Sequence, residues 1–413
     1  METIDLIVRD AAQLITMDER RTAADGALTP LADGAVAVND GKIVECGTTA
    51  EITRKYETRS SISAAGMVVT PGLVDPHTHL VFPATREEEF EMRNLGLSYK
   101  EITRRGGGIH SSVDKLRNMN REELIEGSLP HLDTALAHGT TTMEIKSGYG
   151  LTTKDEIKML EAIAELDRSH AMDVAATFLG AHEVPAEFRE DKEKYIDLLI
   201  NEMIPEVARR KLAEFCDVFC EAHVYSVEES RRILLAARKA GMKLKIHADE
   251  IEPTGGAELA GELKCVSADH LVAASDAGID ALKKGSVVAV LLPATSFSLG
   301  LGKHARARQM LKAGLPVALA TDFNPGTSFT ESQQMTMALA CVNLKMTAAE
   351  ALRGCTIYAA RAIKREDVVG SLKPGKRADL VIWNIPNYRH LGYHFGVNLV
   401  HTVIKKGKVV EKC

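Results

Sequence analysis

The chain has 413 residues, 45% hydrophobic and 26% charged, with 51 basic against 57 acidic side chains for a formal charge of −6. That length exceeds one ordinary domain and can bury a large core without disulfides. The composition excludes wholesale disorder, collagen and coiled coil, and the acidic balance argues against nucleic acid as a partner.

The opening, Met1 to Arg20, carries acidic residues around short apolar runs and no basic stretch, so it does not read as a signal peptide. The first strand is expected at Asp5–Val8. Ala35–Val38 follows, then an Asn39-Asp40-Gly41 turn and a strand over Lys42–Gly47, which is a hairpin signature. The other end repeats the style, with strands within Ala378–Trp383 and His401–Val410. Each end is small for a core of its own. The economical arrangement is one joint β-domain made of residues 1–66 and 366–413.

Between them, over residues 67–365, short runs rich in Val, Ile and Ala alternate with helical stretches. The runs are Leu73–Asp75, Thr141–Ile145, Val174–Leu179, Val218–Cys220, Leu244–Ile246, Cys265–Ala268, Val287–Leu292 and Val317–Ala320. Thr153–Ile163 and Val227–Arg238 repeat apolar residues every three or four positions, the helical period. Eight strands separated by helices predict an α/β fold with a parallel sheet, and eight is the number that closes a (β/α)8 TIM-like barrel. The stretch from Phe82 to Pro130 is too long for a simple return and reads as an elaborated first loop, with a flexible turn at Gly106-Gly107-Gly108. A helix is expected over Ala348–Ala362 before the tail. No apolar run is long enough for a bilayer, because Pro293 stops the strongest one. The seven cysteines, Cys46, Cys216, Cys220, Cys265, Cys341, Cys355 and Cys413, are odd in number and scattered. They read as reduced thiols of a cytoplasmic protein.

The informative residues stand where each run ends. They are His77-Thr78-His79, Lys146 to Gly150, His182-Glu183, Glu221-Ala222-His223, His247-Ala248-Asp249-Glu250, Asp269-His270 and Asp322-Phe323-Asn324. A barrel gathers such positions at one rim, where its active sites lie. His77 and His79 alternate with Thr78 on an extended chain and so face one way. Imidazoles with a carboxylate suit zinc or another first-row divalent metal. A single histidine of this kind is most often a hydrogen-bonded core or surface residue. Four candidate ligands at strand ends, His77, His79, His247 and Asp322, favour a metal site instead.

These residues carry a resemblance. Val69 to His79, with Pro71-Gly72-Leu73-Val74-Asp75-Pro76-His77-Thr78-His79, resembles the entry signature of the amidohydrolase superfamily, and Gly370 to Val381 resembles its return into a β-sandwich. More narrowly, Phe82 to Arg86, Glu144 to Leu151, Phe178 to His182, His247 to Glu250 and Thr321 to Thr327 are similar to the imidazolonepropionase family, over essentially the whole chain. The resemblance implies a hydrolase that opens the ring of 4-imidazolone-5-propanoate to N-formimidoyl-L-glutamate in histidine catabolism, with a metal-activated water attacking the ring carbonyl. It implies one zinc or iron ion per subunit, held by His77, His79, His247 and Asp322. A metal lowers the pKa of its bound water toward about 7. Asp322 can then also accept that water's proton. His270 is placed to polarise the carbonyl or steady the oxyanion, and Glu250 to orient water or carry a proton to the leaving nitrogen.

The resemblance assigns Arg86, Tyr149, His182, Asn324, Gly326 and Thr327 to substrate or product contacts, with Glu250 beside them. Arg86 can clamp a propionate with two parallel hydrogen bonds. Its bland alternative is a surface ion pair, since Glu87, Glu88 and Glu89 follow it. Tyr149 is otherwise a packed loop aromatic, and Asn324 a turn residue before Pro325. Lys146 follows the second run, not the fourth, so it does not match the carbamylated lysine of some amidohydrolases. Glu221 does follow the fourth and reads as a buried hydrogen-bond acceptor. His223 reads as structural or as support behind the site, and the remaining histidines as uninvolved. The nearest rival reading is another cyclic amidohydrolase or amidine deaminase, hydantoinase-like or guanine-deaminase-like, whose substrates have no propionate for Arg86. A catalytically silent scaffold is disfavoured because all four ligands are present. The expected partner is the small-molecule substrate, with no nucleic acid and no membrane, and the expected assembly is a homodimer.

Overall fold

The computed structural model describes residues 1–18, 28–97 and 99–412, so Cys413 lies outside it. Its centre is a sheet of eight strands that pair in chain order, every pair parallel. The strands are β1 (Leu73–Asp75), β2 (Thr140–Lys146), β3 (Asp173–Ala181), β4 (Phe215–Cys220), β5 (Lys243–Ala248), β6 (Ser267–His270), β7 (Val288–Leu291) and β8 (Val317–Leu319). All eight expected runs are strands. β6 is shifted two residues along and ends on His270 itself, not before it.

Seven of the eight seams are backbone ladders. The eighth, between β1 and β8, is closed mostly by side chains. The Gln333 amide donates to Val74 O at 3.2 Å and to Leu319 O at 3.3 Å. Asp75 accepts from Thr321 N at 3.2 Å and Thr321 Oγ1 at 2.5 Å. Just above, the backbone closes directly, with Asp322 N donating to His77 O at 3.1 Å and His79 N to Phe323 O at 2.9 Å. The seam is thus drawn shut at the rim by the segments that carry His77, His79 and Asp322.

The helical returns pack outside this sheet. Thr153–Ser169 and Val227–Lys239 match the expected helices; the second starts from a capping box between Ser226 and Glu229 that satisfies two end donors. The elaborated first loop contains helices Glu87–Asn94, Tyr99–Arg104 and Ile109–Asn118, and the return helix Arg121–Ala137 runs through Pro130 instead of starting after it. The single helix expected over Ala348–Ala362 is two, Ala348–Gly354 and Ile357–Ala362. The break frees Cys355 O to accept from Val74 N at 2.8 Å, which serves the β1 edge that β8 does not pair. Both pieces bury small residues against the barrel, so they are ordinary packing.

The chain ends form two further sheets. One, all from the N-terminal part, orders Lys42–Thr48, Gly34–Asn39, Glu2–Ala11 and Tyr56–Ser63. The other orders Lys408–Lys412, Val400–Lys405, Leu380–Trp383, Val68–Pro71 and Gln13–Leu14. Leu6, Val36, Val38 and Ile43 of the first share a core with Leu14, Val69, Leu380 and Ile404 of the second. Tyr56–Ser63 had no sequence signal because its edge position leaves mostly polar, exposed side chains. The six described cysteines are free, and among the described residues no helix is long and apolar enough to cross a membrane.

Candidate metal centre and active site

Strand ends β1, β5, β6 and β8 bring five groups to one point. Ligand atoms of His77, His79 and His247 lie within 4.8 Å of one another, and so do those of His77, His270 and Asp322. Asp322 Oδ1 is 3.5 Å from His77 Nε2 and 3.6 Å from His79 Nε2. All five are buried. No other histidine joins such a cluster among the described residues.

Hydrogen bonding shows which atoms are spoken for. His77 Nδ1 shares a hydrogen bond with Asp269 Oδ2 at 2.6 Å, whereas His247 Nδ1 and Asp217 Oδ2 lie 3.0 Å apart as an ion-pair contact and each lacks a hydrogen-bond partner. Asp322 Oδ2 accepts from Thr295 Oγ1 at 2.6 Å. The Nε2 atoms of His77 and His247 are buried with no hydrogen-bond partner. Buried polar atoms are rarely left so. A nitrogen-rich set with one carboxylate, facing inward and unpartnered, fits a first-row divalent cation. Burial, and then the cationic neighbours Lys146 and His247, hold His77 well below the usual imidazole range, and burial does the same to His79 and His270. His247 is held above that range instead, because its burial is outweighed by the Asp217 carboxylate, and it must lose that proton before it can bind a metal.

Backbone strain gathers at the same rim. Asp249, His270, Leu271 and Asp322 have φ of 51°, 74°, 58° and 53°, a left-handed region that residues with a side chain seldom adopt. These conformations turn His270 and Asp322 in toward the centre. Glu250 Oε1 is 3.6 Å from His270 Nδ1. Burial, then the Asp322 charge, push its carboxyl up to about 8. Its loop is fixed from below by Glu221, whose Oε2 accepts from Glu250 N and Ile251 N at 3.1 Å each. Glu221 is thus the buried acceptor the sequence suggested. His223 is exposed, against the supporting role expected of it.

The expected substrate residues surround this point. Tyr149 is buried, with its ring centroid 6.1 Å from that of His79 and 5.5 Å from that of His182. His182 stacks on His79 at 4.9 Å and holds Gly148 O at 3.0 Å through Nδ1. Burial pushes it down to about 3, so it is neutral. Arg86 is clamped by Glu89, with Nε to Oε1 at 2.9 Å and Nη2 to Oε2 at 2.5 Å, and Glu89 Oε1 also accepts from Gly108 N at 3.0 Å. The ion pair foreseen as the bland alternative exists, but it is largely buried and aims the guanidinium at Gly326. A Cβ on Gly326 would come within 2.5 Å of Arg86 Nη1, so a larger residue there would push the guanidinium aside. The Asn324 amide is committed to its own loop: Oδ1 accepts from Gly326 N and Thr327 N, both at 2.8 Å, and Nδ2 donates to Asp322 O at 2.7 Å. Arg86 and Gly326 also line a cavity of about 600 Å³ with Phe90, Phe297 and Phe329.

Sequence reading marked Lys146 and Asp269 only as strand-end residues and missed the layer they help to build beneath the site. Glu144 and Lys146 of β2, Asp217 of β4, Lys245 of β5 and Asp269 of β6 are fully buried inside the barrel. The signal for them was a charge at alternate positions of otherwise apolar strands.

Comparisons with known proteins give the family and the fold. The amidohydrolase family model matches residues 68–410. The imidazolonepropionase of Geobacillus kaustophilus is 50% identical over 98% of this chain and 97% of its own, and that of Alkaliphilus oremlandii 48% over 98% of each. Among solved structures, a zinc-bound adenosine deaminase from Xanthomonas campestris has a TM-score of 0.75 at 20% identity, covering 99% of this chain and 93% of its own. The 5-methylcytosine deaminase of Klebsiella pneumoniae has a TM-score of 0.76 at 19% identity, with 98% of each chain covered.

Proposed function

This chain belongs to the imidazolonepropionase family of the amidohydrolases, and from that premise we propose a division of labour among its rim residues. It is a metal-dependent hydrolase of histidine degradation that opens the ring of 4-imidazolone-5-propanoate to N-formimidoyl-L-glutamate. Water adds to the ring carbonyl carbon, the bond from that carbon to the ring nitrogen breaks, and the carbon becomes a carboxylate. The leaving nitrogen takes up a proton and stays in the formimidoyl group.

The observation that carries this reading is the convergence of the unpartnered Nε2 atoms of His77 and His247 with His79 and Asp322. We assign these four as ligands of one zinc or iron ion. That ion supplies Lewis acidity and a water whose pKa is lowered toward about 7. Asp322 then accepts the water's proton. His270, neutral, donates toward the carbonyl oxygen as charge builds there. Glu250, pushed up to about 8, holds a proton at neutral pH and delivers it to the leaving nitrogen. Arg86 receives the propionate through its guanidinium, which Glu89 holds in place. Tyr149 and His182 wall the ring, and Asn324 fixes the loop whose Gly326 and Thr327 close over the product. Six free cysteines support work in the cytoplasm. Exposed Val342 and Tyr393, on two helices that pack together, support a homodimer.

The test is an assay on freshly generated substrate, followed by its ultraviolet absorbance with and without chelator. Chelator-sensitive substrate loss with N-formimidoyl-L-glutamate appearing is expected. No turnover by metal-replete protein would overturn the assignment.

A further inference from the structure

A barrel of this kind is normally filled by layers of branched apolar side chains. Here the layer under the rim holds three carboxylates and two ammoniums, all without solvent exposure. Lys146 Nζ lies 2.7 Å from Glu144 Oε1, 2.8 Å from Asp217 Oδ2 and 3.7 Å from Asp269 Oδ2. Lys245 Nζ lies 3.3 Å from Glu144 Oε1 and donates to Pro76 O at 2.8 Å. Glu144 Oε1 also takes Thr177 Oγ1 at 2.5 Å. Burying charges in this way is costly, and apolar replacements are often more stable. Stability alone therefore does not account for the layer.

Its connections upward do. Two of its carboxylates are the groups that meet His77 Nδ1 and His247 Nδ1. A hydrogen bond from Nδ1–H to Asp269 fixes the His77 tautomer and turns its Nε2 outward, and the Asp217 charge 3.0 Å from Nδ1 favours the same orientation of His247. Lys146 touches both carboxylates and no ligand. Its ammonium is enclosed by acceptors, so it has no room for carbamylation. Three carboxylates against two ammoniums also leave one negative charge in excess beneath the cluster.

We propose that Lys146 is a positioning residue of the metal centre: by pinning Asp217 and Asp269 it sets the rings of His247 and His77 so that both Nε2 atoms face one cation. The inference rests on the metal reading above. Lys245 steadies the same layer from the β1 side, through the Pro76 carbonyl.

The experiment compares wild-type holoenzyme with Lys146→Met. Each is stripped, reloaded with zinc or cobalt(II), and titrated with a competing chelator. Metal affinity is expected to fall about 10- to 100-fold, the range for losing a partner behind a ligand. The cobalt(II) visible bands should shift, and kcat should drop with KM nearly unchanged. Unaltered affinity and cobalt spectrum per folded molecule, whatever the melting temperature, would overturn the proposal. If Lys146→Met does not fold, Glu144→Gln/Lys146→Met, which removes one charge of each sign, is read by the same criteria. Wild-type protein that takes up no metal would instead sink the metal reading itself.

Discussion

Two regions of this molecule bury clusters of lysine and aspartate, and they finish differently. At the amino end of the barrel, Asp173 opens β3 and meets Lys405 and Arg377 from the end sheets, with Lys406 at 3.0 Å. Lys405 also holds Asp379 Oδ2 at 2.6 Å, and Asp379 Oδ1 takes Lys406 N at 2.9 Å. No buried side-chain atom of that cluster lacks a partner. At the carboxyl end, the charged layer reaches up to His77 and His247, whose outer nitrogens have no hydrogen-bond partner, and Asp217 Oδ2 and Asp269 Oδ1 within it have none either. A saturated cluster ties two parts of the chain together. A cluster left open at one face marks where something else is to bind.

The contrast predicts opposite consequences for similar substitutions. Asp322→Asn should lower kcat by about 10³-fold or more, through loss of a ligand and a proton acceptor together. Its circular dichroism should match wild type. Lys405→Met should do the reverse. Asp379 and Lys405 are each 2% exposed at the side chain, so removing one strands a buried charge. A loss of roughly 3 kcal/mol in unfolding free energy is expected. Steady-state kcat/KM should stay within about twofold. A kcat loss in Lys405→Met comparable to that in Asp322→Asn would erase the distinction.

Arg86→Met sharpens the comparison within the rim. Two charge-assisted hydrogen bonds to a propionate, together worth about 2–3 kcal/mol, should cost roughly 10²-fold in kcat/KM, carried mainly by KM. An unchanged KM for the propionate-bearing substrate would remove Arg86 from its assigned place.

What the sequence disclosed, and what it hid, follows the same division. Short runs rich in Val, Ile and Ala marked all eight strands, and most of them lead into a polar residue that strand geometry sends to one edge. The ladder that starts at Leu73 and ends at Leu319 needed no more than that. The seam between them was invisible, since Gln333, Asp75 and Cys355 meet only once the sheet has curved round. The partners of Lys146, which the sequence marked only as a strand-end residue, and of Lys245 were hidden for a related reason. A lysine in an apolar strand gives no sign of its partners until the carboxylates of β2, β4 and β6 are placed beside it. Asp217 shows this most plainly: its charge made β4 seem to begin at Val218, whereas the strand begins at Phe215. The short edge strand Tyr56–Ser63 escaped because pairing along the backbone, not side-chain burial, holds it.

The smallest effect is the most selective test of the saturated cluster. Burial raises the Asp173 carboxyl, but Lys405 and Arg377 outweigh it and hold the group below its ordinary range. A depressed folded value means the carboxylate's contribution is fully present above the unfolded pKa, about 3.9. It is lost as pH falls through the lower, folded value. Asp173→Asn should therefore unfold more easily than wild type at pH 7, by about 1 kcal/mol for a partly exposed ion pair. That gap should narrow steadily below pH about 4 and close in stronger acid, where wild type has lost the same charge. Denaturant midpoints at several pH values would show it. A gap as wide at the most acid pH as at pH 7 would mean that Asp173 stabilises the fold by packing, and that the two buried clusters differ in shape alone.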